Sequence, residues 1–473
     1  MKGQSTFSRR SFLKGMTLAG LSTGLGFNLT GCKKTTPNGK TTAHAKNLIL
    51  MVSDGMNNGT FSAVNHWYNA KENRDSAWMQ LYKDELASRH LVETSCANSM
   101  VTDSAAASSA WGIGHRVNMG SINTQTDGSQ PKPIAMLAKA KGKSAGMVST
   151  ARITHATPAG FAANVTNRDF EDEIASQYLK RGIDVLLGGG DKKFNSKNRK
   201  DHRDLYGEFS KTGYRVTKNK TELKALQKGS KPILGVFSKS HMPYCIDRQK
   251  VEKYSDVPSL EEMTQVALDH LSQNPKGFVL QIEAGRVDHA GHANDPSILH
   301  EQLEYDRTVA LVREFAEKDG DTLVIVTTDH GTGGFMVNGA DDGYEKALGR
   351  MLEIEKVTGS FDTLESRTNR NDVPASIVKA VEDTLKIQLT KDERAFLVNS
   401  VSRDASHSMY GASNAIANAL HPILFKRFSV MWTSHNHTAD LVEMAIYGPG
   451  KDGLPGFVEN WEVHGLMRQV LGI

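Results

Sequence analysis

Residues 278–292 read FVLQIEAGRVDHAGH, a short apolar run broken at Glu283 and followed, after a glycine turn, by Asp288 and His292 four positions apart. A run of this length with β-branched and aromatic residues reads as a buried strand. Similar runs recur at Leu48 to Val52, Ala145 to Ser149, Asp184 to Leu187, Leu323 to Thr327 and Met444 to Tyr447. Longer amphipathic stretches lie between them, among them Phe170 to Arg181, Leu260 to Gln273 and Ser297 to Lys318. That alternation predicts an α/β fold, a large mostly parallel sheet sandwiched between helices. Ligands in such sheets gather at the carboxyl ends of the strands. Asp54, Glu283, Asp329 and His330 stand at those ends.

Working outward, residues from about 339 to 430 lose the strand signal and become amphipathic and mostly helical. We read them as a cap-like insertion over one edge of the site within a single domain, 47–473, because the last strand and His437 lie beyond it. Four aromatic residues, Tyr344, Phe361, Tyr410 and Trp432, would either line its entrance or pack inside it. The 473 residues carry 57 basic and 53 acidic side chains. The surplus sits in residues 1–31 as Lys2, Arg9, Arg10 and Lys14, so the body is nearly neutral and a nucleic-acid binder is not indicated. The basic stretch Lys192, Lys193, Lys197, Arg199, Lys200 reads as a solvated loop.

The amino terminus reads as an address. Ser8 to Lys14 form a twin-arginine export pattern, followed by a glycine- and threonine-diluted apolar stretch too short to span a bilayer. Leu29, Thr30, Gly31, Cys32 is similar to a bacterial lipobox, which implies cleavage before Cys32 and a lipid on it. Residues 32–46 would be a tether, and the mature chain would lie in the periplasm or at the cell surface. Membrane contact would come only through that anchor. Cys96 and Cys245 remain, and sequence leaves their pairing open.

The chemistry-bearing residues form a set. Ser104, followed by Ala105, Ala106 and Ala107, suits the start of a helix, where unpaired N–H groups and the dipole favour phosphate and an ionised hydroxyl. Local capping by Asp103 or Ser104 explains the segment equally well. Asp288 with His292, and Asp329 with His330 before Gly331, Gly333 and Gly334, offer carboxylate and imidazole donors suited to zinc, while purely oxygen sites suit magnesium.

In order and spacing, seven segments resemble those of alkaline phosphatases: Val52 to Met56, Thr102 to Ala106, His155 to Thr157, Asn164 to Arg168, Glu283 to His292, Thr328 to Gly331 and His437 to Gly450. The resemblance implies hydrolysis of phosphate monoesters through a phosphoserine on Ser104. It implies one Zn2+ on Asp288, His292 and His437, a second on Asp54, Asp329, His330 and Ser104, and Mg2+ on Asp54, Thr157 and Glu283. The zinc pair, about 4 Å apart, would clamp an in-line displacement. Arg168 would grip the substrate phosphate with its planar fork. His435 competes with His437 as a ligand, but His437 has the family's spacing to Tyr447, Gly448 and Pro449.

Some bacterial members carry Asp and Lys where this chain has His155 and His289, and animal members carry His at both. These two histidines would therefore face substrate, with weaker phosphate retention and an altered third metal site. Relatives on the scaffold supply the alternatives. A sulfatase is opposed by the alanines after Ser104. A phosphodiesterase is opposed by the presence of Glu283 and Thr157, and a non-catalytic phosphate- or metal-binding lipoprotein by the retention of Ser104 and Arg168. Small-molecule phosphate esters are the expected partners, with a homodimer as the assembly common in the family.

Overall fold

The computed structural model describes residues 44–226, 229, 231–369, 372–401 and 414–473. The export pattern, the lipobox with Cys32, nearly all of the tether and Tyr410 lie outside the described residues. The described residues form one compact unit.

Ten strands make one sheet: β1 (Asn47–Val52), β2 (Ala87–Glu93), β3 (Ser144–Arg152), β4 (Val185–Gly189), β5 (Arg215–Thr217), β6 (Ile233–Val236), β7 (Phe278–Glu283), β8 (Thr322–Thr327), β9 (Val442–Tyr447) and β10 (Phe457–Glu459). Their spatial order is β10-β2-β9-β8-β1-β7-β3-β4-β6-β5. Only β9 runs against the others; it pairs antiparallel with both β8 and β2. All six apolar runs identified above are strands of this sheet. β1, β7 and β8 are buried along their whole length, as expected of parallel strands covered on both faces. The two faces belong to separate apolar clusters. Ile49, Met51, Leu280 and Ile282 point into one; Leu48, Leu50, Val52 and Val279 point into the other.

The three helical stretches are helices at Glu171–Arg181, Leu260–Leu271 and Ile298–Asp319. The second begins with a complete capping box, Ser259 with Glu262. Strands β2, β5, β6 and β10, two at each end of the sheet, were not anticipated; all but the four-residue β6 lack a clear apolar run. The basic stretch also differs from expectation in one residue. Arg199 is buried, its guanidinium donating to the carbonyls of Asp172 and Lys193 and pairing with Asp201 at 2.6 Å. Its five donors are satisfied locally, which is what allows an arginine to leave water.

Within 339–430 the described residues are chiefly helical, at Ala347–Leu352, Phe361–Arg367, Val373–Leu385, Lys391–Val401 and Asn414–Phe428. Phe361 and Trp432 are packed inside, while Tyr344 is 80% exposed. The helix Phe361–Arg367 is latched by acids from outside the insertion. Asp247 accepts from Ser360 N (2.8 Å), Ser360 Oγ (2.6 Å) and Thr363 Oγ1 (2.8 Å), and Asp295 accepts from Phe361 N (2.6 Å). Cys96 and Cys245 are free, buried thiols, so they do not pair.

Asp247→Ala would strand three buried donors, at a cost of about 2–4 kcal/mol. The loss should be local. Amide exchange at 360–367 should rise while β7 keeps its protection; equal loss in both would show that the latch supports the whole fold.

Candidate active site

Four neighbouring central strands, β8-β1-β7-β3, deliver most of the predicted residues from one end of the sheet. Asp54 follows β1, Glu283 ends β7, Asp329 and His330 follow β8, and His155 and Thr157 follow β3. Gly55 makes the turn after Asp54 with φ +75°, and a Cβ there would lie 2.6 Å from the Asp288 Cα. Only glycine combines that conformation with that approach. Asp288 and His292 sit on the helix Arg286–Ala293. His437 arrives through a two-residue antiparallel ladder that pairs it with Thr332.

Two clusters of carboxylate and imidazole result. In the first, Asp288 Oδ1 lies 3.4 Å from His292 Nε2 and 3.5 Å from His437 Nε2, and those nitrogens are 3.1 Å apart. Both rings have their other nitrogen against a carbonyl: His292 Nδ1 on His435 O at 2.5 Å and His437 Nδ1 on Thr102 O at 2.8 Å. A carbonyl can only accept, so each Nδ1 carries the proton and each Nε2 of a neutral ring presents a lone pair. Two lone pairs and a carboxylate oxygen at these distances repel unless a cation lies between them. The His435 ring itself turns away, to His292 O and Asn418.

In the second cluster, His330 Nε2 lies 3.3 Å from Asp329 Oδ2 and 3.8 Å from Asp54 Oδ1. Ser104 Oγ is 3.3 Å from the same nitrogen. Ser104 opens the helix Ser104–Ile113, whose cap is Asp103, accepting from Ala106 N at 3.0 Å. Both halves of the local reading therefore hold: Asp103 caps, and Ser104 faces the cluster. A third group lies against the second. Thr157 Oγ1 donates to Asp54 Oδ2 at 3.3 Å, and Ser149 Oγ donates to Glu283 Oε2 at 2.5 Å. His155 also comes within reach of Asp54 and Glu283, which adds an imidazole to a group expected to hold oxygen donors.

The residues fit divalent ions. Asp54 Oδ1, Asp329 Oδ2 and Glu283 Oε1 are fully buried and accept no hydrogen bond. Burial, with the charge of Asp329 and Asp288 nearby, pushes the Asp54 carboxyl well above its usual range. Burial likewise pushes Glu283 up to about 7, and burial with Asp288 pushes Asp329 up to about 7. Burial would raise Asp288 as well, but it is held low by the attraction of positive charge shared among His292, His437 and His330, the place a bound cation would take. A shared cation is the ordinary way to keep such a set ionised.

Arg168 donates from Nη1 to Asp103 Oδ2 at 2.8 Å and approaches His155 Nε2 with Nη2 at 3.1 Å. His289 follows Asp288 on its helix, with its ring 5.8 Å from that of His155. Every residue expected at the site is thus in one neighbourhood. Three that were not expected join them. Asp103 holds Arg168; Thr332 donates to Asp288 Oδ1 at 2.6 Å; and His241, after β6, packs its ring 4.1 Å from that of His289. The strand-end rule would have marked His241 had β6 been recognised.

Comparison with known proteins agrees with this arrangement. A family model for alkaline phosphatase matches residues 45–473. Alkaline phosphatase 3 of Bacillus subtilis is 33% identical over 428 residues, covering 88% of this chain and 87% of that protein. The crystal structure of Thermus thermophilus alkaline phosphatase superposes with a TM-score of 0.83 at 33% identity, covering 91% of this chain and 92% of that one. The cold-active alkaline phosphatase of a psychrophilic Shewanella gives 0.75 at 28% identity, covering 90% and 99%. With a family model matched over residues 45–473 and relatives matched over about nine-tenths of its length, this chain belongs to the alkaline phosphatase family and is a phosphatase.

Proposed function

We propose that the chain hydrolyses phosphate monoesters to alcohol and inorganic phosphate through a phosphoserine on Ser104. Asp288, His292 and His437 would hold one zinc, Asp54, Asp329, His330 and Ser104 a second, and Asp54, Thr157 and Glu283 a magnesium. The position of the Ser104 hydroxyl carries this reading. It stands at the head of a ten-residue helix and 3.3 Å from His330, among three groups of buried ligands. When bound, the paired ions supply positive charge at the attacking and leaving oxygens of an in-line displacement.

The protein's own residues do the rest. Ser104 Oγ bonds to phosphorus as the bond to the alcohol oxygen breaks, and water then breaks the Oγ–P bond to return serine and phosphate. The helix terminus and Arg168 face the non-bridging oxygens, already oriented before charge develops on them. Asp103 fixes the guanidinium through one nitrogen. His155 and His289 border the phosphate position as neutral rings, since burial and neighbouring guanidinium groups hold both well below the usual imidazole range. A neutral ring holds product phosphate less strongly than a lysine would, which favours release.

The same reading covers the setting. Residues 1–31 would direct twin-arginine export, Cys32 would take a lipid, and residues 32–46 would tether the 47–473 domain in the periplasm or at the cell surface. The insertion would cap one edge of the site. A homodimer completes the proposal, to be checked by the solution mass.

The first test is turnover of a chromogenic monoester by protein lacking residues 1–32, with zinc and magnesium. Ser104→Ala should lower kcat by at least about 10³-fold while metal content by atomic emission stays unchanged. A variant that keeps its activity would remove Ser104 as nucleophile. Chelation should abolish turnover, and returning zinc with magnesium should restore it. Full activity after exhaustive chelation would refute the metal assignment.

Proton linkage gives an independent check. Glu283 and Asp329, with ordinary values of 4.5 and 3.8, stay protonated in the folded metal-free chain up to about 7. These two groups bind protons in the folded state that they lose on unfolding, so their own contribution to stability falls as pH rises through that window, while the depressed His155, His289 and His330 act in the opposite sense. Between pH 5 and pH 8 the metal-free protein should therefore lose more melting temperature, or gain less, than the metal-free Glu283→Gln variant, and zinc should reduce that penalty because it binds the ionised carboxylates. Identical metal-free profiles for the two would contradict the buried-carboxylate account.

A further inference from the structure

A cavity of about 480 Å³ opens between the end of β3, the loop after β6 and the insertion, lined by Arg152, Lys239, His241, Arg286, His289 and Asp362 among others. It adjoins the active site. The His241 ring lies 5.3 Å from that of His155, whose Nε2 is 3.1 Å from Arg168 Nη2. His155, His241 and His289 come close enough together to hold a metal ion. Each of them, however, already faces a guanidinium: His155 faces Arg168, His241 contacts Arg152 Nη1, and His289 Nδ1 is 3.2 Å from Arg286 Nη1.

A cation placed among those imidazoles would sit beside three guanidinium groups, whereas an anion would meet their N–H donors, although each guanidinium is also paired with a carboxylate at 2.8 Å, Arg168 with Asp103, Arg152 with Glu171 and Arg286 with Asp362. The lining carries the same bias. Arg152, Lys239 and Arg286 meet one lining carboxylate, Asp362, which pairs with Arg286 at 2.8 Å. Glu171, behind Arg152, is shared with Lys193 at 3.6 Å. The Arg286 guanidinium is fixed from one face by the Tyr244 ring at 3.6 Å, so the array is oriented before any ligand arrives.

We propose that this cavity receives a second anionic group of the substrate, so that the enzyme prefers monoesters whose alcohol portion carries a further phosphate. It rests on the phosphomonoesterase reading, with the scissile phosphate at Ser104 and Arg168. An anion there has two sources, the substrate's own tail or departing inorganic phosphate, and the test separates them.

The zinc- and magnesium-loaded enzyme would be assayed on fructose 6-phosphate and fructose 1,6-bisphosphate, with inorganic phosphate as inhibitor, at low and high salt. Two cleavable phosphates alone give the bisphosphate a kcat/KM advantage of about twofold. We expect at least about fivefold at low salt, falling as salt screens the array. Lys239→Gln should cut that ratio about two- to fivefold, as one exposed charge allows, with inhibition by phosphate unchanged. A ratio near twofold with good turnover of fructose 6-phosphate would overturn the subsite and leave the phosphomonoesterase reading intact. If Lys239→Gln weakens phosphate inhibition while the ratio stands, the cavity is an exit path and the proposal fails. If neither ester is cleaved, both readings fall.

Discussion

Four carboxylates, Asp54, Glu283, Asp288 and Asp329, are buried within one neighbourhood, none more than 3% exposed, and the rest of the structure answers to that constraint. Like charges in a dry interior are costly unless protonated or met by cations. The protein fixes them in a common way. One oxygen of each accepts from a protein donor: Thr157 Oγ1 for Asp54, Ser149 Oγ for Glu283, Thr332 Oγ1 for Asp288, and Gly55 N for Asp329. In Asp54, Glu283 and Asp329 the other oxygen is left with no hydrogen bond. The parallel sheet makes this possible, because adjacent strands running in one direction end side by side and their loops converge. The donors orient the carboxylates without neutralising them, which leaves the second oxygens to whatever cation the site takes.

The insertion is bound into this arrangement by polar contacts and not by apolar burial alone. Arg286 begins the helix that carries Asp288 and His292. It is buried, stacks on Tyr244 and pairs with Asp362 of the insertion. Asp247 and Asp295 meanwhile hold the start of the Phe361–Arg367 helix. A shift of that helix would therefore pull on the helix that carries Asp288 and His292 through a buried charge. The opposite side is different: Tyr344 and Met336 remain exposed beside the Asn58–Glu72 helix.

The central strands were legible because burial on both faces forces uninterrupted apolar runs, and a run such as Leu323 to Thr327 has few other readings. Edge strands such as β5, three residues long with Arg215 and Val216 only half buried, leave no such mark. The direction of β9 was not legible either, since an apolar run has no polarity. Among site residues, Asp288 and His292 were visible through helical spacing, and Asp329 with His330 through the glycines that follow them. His241 was invisible: it lies in a serine-rich loop and acquires its neighbours only through the order of β3, β4 and β6 in the sheet. Asp103 was seen, but only as a cap. Its second bond, to Arg168, joins residues 65 positions apart and cannot be read from either segment.

That double use of Asp103 bears on how Ser104 is held. The helix it caps is nearly all small residues through Ala110, and the reason is packing. Ser108 donates to Ala156 O at 3.1 Å across to the Ala156–Ala162 helix. A Cβ on Gly160 would meet Ser108 Oγ at 2.2 Å, and one on Gly112 would meet Gly160 O at 2.2 Å. The two helices therefore approach too closely for larger side chains. This contact fixes Ser104, at the start of one helix, relative to Thr157, in the first turn of the other. The alanine run, which in the sequence suggested a helix start and opposed a sulfatase, is also what sets the distance between the hydroxyl and the Asp54–Glu283 group. Arg168 is tied to the same cap, so Asp103 couples the guanidinium to the head of the helix that begins at Ser104. The carboxylate can do both, because Oδ1 serves the helix while Oδ2 serves the arginine.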